Sequence, residues 1–199
     1  FAAIEFGYAG TGAHSIQIGD TTGTSSFNSD VVFNAPALGE LITVLADQAV
    51  DTSGNANAAG DMTFNGPVVI GSGGAVAITA ENLLTFESTL DMDGNDTTLA
   101  SADLEFNGGA NSVSNGGAAA TLTFAPPSIN TPIDIGDVTT PQVGAYTLDS
   151  TDIAALDVTV GSIGFGIAGT GQHNIQIEGI NAATNPDAPF KFDVTFNSP

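Results

Sequence analysis

The chain has no cysteine and no tryptophan, and in 199 residues one basic side chain, Lys191, faces 22 carboxylic acids. Without cysteine there are no disulfides and no thiolate metal sites, and the redox compartment is left open. Nearly without lysine and arginine, the chain lacks the groups through which proteins hold phosphate backbones and anionic lipid, so nucleic acid is set aside as a partner. No apolar run approaches the roughly 18 residues needed to cross a bilayer as a helix, so the chain is expected not to be membrane-spanning. No basic segment precedes Phe1, and any export signal is expected to have been removed or to lie outside residues 1–199.

What is present is acid and oil together. The formal net charge is −21, yet 42% of residues are hydrophobic and the mean hydropathy is +0.20. Disordered acidic chains do not combine these properties, so the chain is expected to fold. Short apolar-alternating segments recur from Ala3–Phe6 to Phe192–Phe196, Val158–Val160 among them, with Gly, Asn, Asp and Ser between. That is an all-β pattern.

The chain also repeats itself. Residues 4–18 return as residues 163–177 with eleven of fifteen positions identical, and Asp30–Pro36 returns as Asp193–Pro199. Self-similarity at a fixed period marks an array whose units bury their apolar faces against each other. We read residues 1–199 as one continuous solenoid segment, with 4–162 a long unit of about 160 residues and 163–199 the start of the next.

A shorter period lies inside the long one. Ile42-Thr43-Val44, Met62-Thr63-Phe64, Leu84-Thr85-Phe86, Leu104-Glu105-Phe106 and Leu122-Thr123-Phe124 begin 20, 22, 20 and 18 residues apart. This spacing predicts a parallel β-solenoid of about 20 residues per coil, with coils about 4.8 Å apart. On that reading Thr43, Thr63, Thr85, Glu105 and Thr123 form one exposed column, and Phe64, Phe86, Phe106 and Phe124 one buried aromatic stack. Eight such coils give about 38 Å per long unit. An antiparallel sandwich is the rival, but it does not demand the same triplet at the same phase. Two stretches depart from strand character. Asp149–Leu156 offers N-cap candidates before an Ala-rich run, which predicts one short helical excursion near 150–156. The proline-containing run 124–132 predicts a corner or an excursion.

The order Leu122-Thr123-Phe124-Ala125-Pro126-Pro127, Ile133-Asp134-Ile135-Gly136, Tyr146-Thr147-Leu148, Thr151–Leu156, Ile163-Gly164-Phe165-Gly166 and Gly169–Ile175 resembles a module of large bacterial exoproteins. These are the filamentous-haemagglutinin-like adhesins, exported by two-partner secretion or as autotransporter passengers. The resemblance covers roughly residues 60–199 and, through the internal repeat, 1–18. It implies a right-handed β-helix, an extracellular or cell-surface location, and a surface or adhesive role. The near absence of basic residues departs from the family, and no segment of residues 1–199 corresponds to its secretion domain.

Among motifs, Asp91-Met92-Asp93-Gly94-Asn95-Asp96 gathers hard oxygen donors around a glycine. The turn reads first as a polar solenoid corner; the alternative is calcium bound by Asp91, Asp93, Asn95 and Asp96, although the distal glutamate of an EF-hand is missing. Asp134 with Asp137, and Asp149 with Asp152, read as solvated faces. His14 and His173 hold equivalent places in the long repeat, which argues for a shared structural task such as bonding a turn carbonyl. Gly71-Ser72-Gly73-Gly74 precedes a strand pattern rather than a helix, so it reads as a turn and not a dinucleotide loop. Lyase chemistry on acidic sugars needs a base that Lys191 poorly supplies, and only two tyrosines are available to stack on sugar rings, so no enzyme is expected.

The sequence therefore leads to a structural repeat of a secreted bacterial extracellular filament or surface fibre, built by end-to-end stacking of a homopolymer or of tandem repeats, with no required cofactor. The alternative is an adhesin module that recognises extracellular glycans or another surface partner.

Overall fold

The computed structural model describes residues 3–8, 14–19, 23–52, 60–179 and 193–198. Within them the chain winds in coils of three short strands. The first coil holds β1 (Ile4–Gly7), β2 (Ile16–Ile18) and β3 (Gly23–Ser26), and the second β4 (Val31–Asn34), β5 (Ile42–Val44) and β6 (Gln48–Asp51). The third holds β7 (Met62–Asn65), β8 (Val68–Ile70) and β9 (Val76–Thr79), and the fourth β10 (Leu83–Phe86), β11 (Leu90–Asp91) and β12 (Thr97–Ala100). The fifth holds β13 (Asp103–Phe106), β14 (Val113–Ser114) and β15 (Thr121–Ala125).

Corresponding strands pair coil upon coil, giving three faces: β1-β4-β7-β10-β13, then β2-β5-β8-β11-β14, then a third that begins β3-β6-β9-β12-β15. Every pairing among the described strands is parallel, which excludes the antiparallel sandwich. The fold is a parallel β-solenoid.

Alternation explains the packing. In β7 and β8 the outer residues Met62, Phe64, Val68 and Ile70 are buried and the middle Thr63 and Val69 are only partly covered. Period-two side chains place one set in the shaft and the other outside. Parallel in-register stacking then sets like on like. On the first face the rings of Phe6, Phe33, Phe64, Phe86 and Phe106 lie 5.0 to 5.5 Å apart with interplanar angles of 7 to 26°. Polar residues stack as well: Asn65 Nδ2 donates to Asn34 Oδ1 at 3.1 Å, and Asn107 Nδ2 to Glu87 Oε1 at 3.2 Å.

The coil length differs from the expectation. Register partners Ile4, Val31, Met62, Leu84 and Leu104 lie 27, 31, 22 and 20 residues apart, so about 20 describes only the inner coils. The five triplets do not share one face either. Met62, Leu84 and Leu104 begin triplets of the first face, but Ile42–Val44 is on the second and Leu122–Phe124 on the third. Alternation reports inside against outside and is silent about which side of the tube a strand occupies. The proposed outer column therefore reduces to Thr63, Thr85 and Glu105, of which Thr85 is buried. Phe124 meets Phe106 edge-on across a corner, at 6.4 Å and 71°.

Beyond β15 the chain makes a detour. β16 (Ile133–Ile135) comes first, then β17 (Tyr146–Leu148) and the helix α1 (Ser150–Ala155). β18 (Ser162–Phe165) returns to the third face on β15, and β19 (Ile175–Ile177) pairs with β16. β20 (Asp193–Phe196) then pairs with β18. β17 pairs with β16 and packs over β13, so the later strand lies beneath the earlier one. The helix falls where the sequence placed it. Val158–Val160 forms a turn rather than a strand, since Val160 N donates to Asp157 O at 3.1 Å.

Candidate functional site

Two acidic constellations stand out, one at a corner of the regular coils and one at the detour. The corner turn follows β11. Asp93 and Gly94 take positive φ values of 45° and 81°, which bend the chain from the second face to the third. A side chain on Gly94 would place its Cβ 2.6 Å from the Ala118 nitrogen of the next coil, so only glycine fits between stacked corners.

The polar groups of this turn bond the corners above and below. Asp91 Oδ1 accepts from Asp93 N at 3.0 Å and from Gly116 N at 2.8 Å. Asn95 Oδ1 accepts from Gly73 N and Gly74 N at 3.0 and 3.2 Å, while its Nδ2 donates to the carbonyls of Met92 and Asp93. Asp96 Oδ1 accepts from Thr121 N at 2.8 Å. One coil higher, Asn115 Oδ1 accepts from Gly94 N at 2.6 Å. Corner backbone N–H groups have no ladder partner, and these side chains supply one. Of the four residues read as calcium ligands, Asn95 is buried, Asp91 is half-buried, and Asp93 and Asp96 are exposed. Among the described residues no three His, Cys, Asp or Glu side chains converge as a metal-binding group. The Gly71–Gly74 run forms the corner beneath, between β8 and β9, as the sequence suggested.

The second constellation caps β13. At the top of a parallel sheet the strand's N–H groups need a partner, and here a side chain supplies one. Asp152 Oδ1 accepts from Phe106 N at 3.1 Å, and its Oδ2 from Asp149 N at 3.1 Å. Asp149 reciprocates by accepting from Thr151 N and Asp152 N at 2.7 and 3.0 Å, a capping box that starts α1. The segment after the helix closes the second face: Leu156 bridges Val113, Asp157 N donates to Val113 O at 2.8 Å, and Asn115 N donates to Thr159 Oγ1 at 3.0 Å.

Burial pushes the Asp152 carboxyl up to about 7, aided by the charges of Asp149 and Glu105 and opposed by the N–H groups of Phe106 and Asp149. Burial likewise raises Asp103 and Glu105. Tyr146 is fully buried beside them and its phenol is pushed well above its ordinary value by burial and by Asp152. The Tyr146 and Ser101 hydroxyls are buried without a well-formed hydrogen bond.

The structure thus corrects the reading of two acid pairs as solvated faces. Asp152 is 6% exposed and Asp134 is fully buried, its carboxylate accepting from Gln142 N and Nε2 at 2.7 Å each. The spacing Asp149-x-x-Asp152 was the available signal, since a reciprocal cap turns its second acid inward. The histidines do share a task. His14 Nε2 accepts from Tyr8 N at 2.9 Å, and its counterpart His173 Nε2 from Ile167 N at 3.0 Å. His173 Nδ1 also donates to Thr131 O at 2.8 Å, which fixes the ring as the tautomer protonated there.

Neither constellation joins a nucleophile, a base and an oxyanion donor in a cleft. Both hold coils together. The chain matches no protein-family model, no curated protein and no solved structure.

Proposed function

We propose that this chain is a structural, non-catalytic repeat of a secreted bacterial extracellular filament or surface fibre, in which solenoid units continue end to end. The observation that carries the reading is the third face, where seven parallel strands from β3 to β20 pair without interruption and run from one copy of the long repeat into the next. A solenoid whose second unit stacks on its first in this way adds units along its axis, each burying its apolar edge on the last. Carboxylates on the flanks keep the shaft hydrated and discourage lateral pairing. Carboxylates in neighbouring turns lie within a Debye length of one another and repel, so added salt screens that repulsion and stabilises the stacked coils.

The rise per unit follows from the coil count. The unit opened by β1 recurs at β18 after five paired steps and two further faces, about 27 Å at 4.8 Å per step. This replaces the 38 Å expected from eight equal coils; the longer outer coils and the detour through 126–161 consume the difference.

A glycan-binding adhesin would carry outward aromatic side chains on its flank. Among the described residues the exposed aromatics are Phe6, Tyr8 and Phe196, which sit in the first and last coils. The described flanks of the coils between carry no exposed aromatic side chain for a glycan to stack on. Electron microscopy of the native material tests the reading: thin unbranched fibres outside the cell are expected, and discrete particles or an intracellular location would overturn it.

A further inference from the structure

Above the fifth coil the three faces of the shaft continue unequally. On the third face β15 pairs with β18 from Thr121 opposite Ser162 to Phe124 opposite Phe165. On the second, β14 meets the segment after α1 through one isolated bridge, Val113 with Leu156. On the first, no described strand pairs with the upper edge of β13, because β17 packs over it while pairing with β16. Two sides of the ladder are thus interrupted at one level while the third runs through. A stack joined by backbone along one side and by separate contacts along the other two has the geometry of a hinge.

Those separate contacts belong to one short segment, residues 149–159. Asp152 Oδ1 accepts from Phe106 N, Asp157 N donates to Val113 O, and Asn115 N donates to Thr159 Oγ1. Ile153, Ala155 and Leu156 join the apolar core between them. Of the three bonds, only the first is made by an ionisable side chain, and that side chain is surrounded by its own sign. Asp149 lies on its own segment, Asp103 and Glu105 lie on β13, and Glu87 of β10 acts on Glu105. Asp137, from the turn after β16, accepts from Ser150 N at 3.3 Å. β17 contributes the buried phenol of Tyr146. No lysine or arginine occurs among the described residues, so only the N–H groups of Phe106 and Asp149 offset a charge on Asp152.

We propose that residues 149–159 form a proton-controlled latch, which holds the tops of β13 and β14 while Asp152 is protonated and opens locally when Asp152 ionises, with the third face as its hinge. Opening breaks no strand ladder, since β13 stays paired with β10 below and β17 with β16 above. It returns the carboxyl from a site where burial pushes it up to about 7 to water, where its ordinary value holds. Opening therefore becomes easier as pH rises from about 4 to about 7 and levels off above that. The latch lies within the fold of one unit and stands apart from the filament reading.

Amide hydrogen exchange of the full-length protein, corrected for intrinsic rates, tests the latch residue by residue. At pH 7 the amides of Phe106, Asn115 and Asp157 are expected to be about tenfold or more less protected than ladder amides that open only with the shaft. Ala80 N, bonded to Ala100 O, and Gly166 N, bonded to Phe124 O across the hinge, are two such ladder amides. Between pH 5 and pH 7 protection of the three latch amides is expected to fall together by on the order of 50-fold. Asp152→Asn keeps an acceptor for Phe106 N and is expected to abolish that fall. Asp149→Asn keeps the helix cap and removes a repelling charge, so the fall is expected to shrink about twofold or more. Equal protection of latch and ladder amides would show one cooperative unit and overturn the proposal. A fall that is absent in the wild type, or that survives in Asp152→Asn, would overturn it as well. Should Asp152→Asn not fold, the Asp149→Asn profile decides, and one identical to wild type would exclude Asp152 as the controlling group.

Discussion

The regular coils of residues 31–125 and the detour of residues 126–161 solve one problem in two ways. In the coils, each strand's N–H and C=O groups meet the next strand, and at the corners between the second and third faces N–H groups of Gly73, Gly94, Gly116 and Thr121 meet Asn95, Asn115, Asp91 and Asp96. All the charged atoms in that scheme lie near solvent. Over β13 the ladder stops, and a single carboxylate, Asp152, takes the place of a strand. The substitution keeps the bond but buries a charge, and the raised protonation equilibrium of Asp152 is the result. Backbone ladders insulate a solenoid from pH; side-chain caps couple it.

The comparison breaks most visibly in the shaft interior. Phe86 is fully buried and stacks on Phe64 at 5.0 Å and on Phe106 at 5.5 Å. Phe86→Ala is expected to cost about 3–5 kcal/mol in chemical denaturation, more than any single change at the detour.

The pH dependence sharpens it next. A carboxyl whose value in the folded state lies above its ordinary one contributes stability that is complete below about pH 4 and is lost as pH rises through about 7. Asp103 and Glu105 act in the same direction. Melting temperature is therefore expected to rise between pH 8 and pH 5, with a change on the order of 2–4 kcal/mol from Asp152. Asp152→Asn keeps an acceptor for Phe106 N and removes the titration, so its profile over this range flattens. A wild-type profile that falls on acidification would contradict the account.

Corner bonds are smaller. Asn95→Ala removes the acceptor of two backbone N–H groups and is expected to cost about 1–2 kcal/mol, without altering the pH profile. The smallest expected effect is that of calcium. The oxygens of Asp91, Asn95 and Asp96 are engaged by backbone N–H groups, so midpoints in calcium and in chelator at matched ionic strength should agree within about 2 °C. A larger rise in calcium would restore the turn as a metal site.

Much of this architecture was legible in residues 1–199, and the illegible part has a physical cause. Alternation in Met62-Thr63-Phe64 and Leu84-Thr85-Phe86 reports burial directly, and the Asp149 cap announced α1. The detour hid because β17 follows β16 in sequence and lies beneath it in space, an order that no local pattern encodes. Leu122-Thr123-Phe124 misled for a related reason: its triplet copies that of Leu104-Glu105-Phe106 while belonging to another side of the tube. Asp152 and Asp134 read as surface because acids in loops usually are, and the groups that cover them, Phe106 N and Gln142, come from 46 and 8 residues away.

Fibre diffraction from oriented native material tests the central claim most directly. Stacked parallel coils predict a meridional reflection near 4.8 Å and, where the long repeat continues along one chain, an axial rise of about 27 Å per unit. A 4.8 Å reflection on the equator, or none at all, would contradict coils that stack along the fibre.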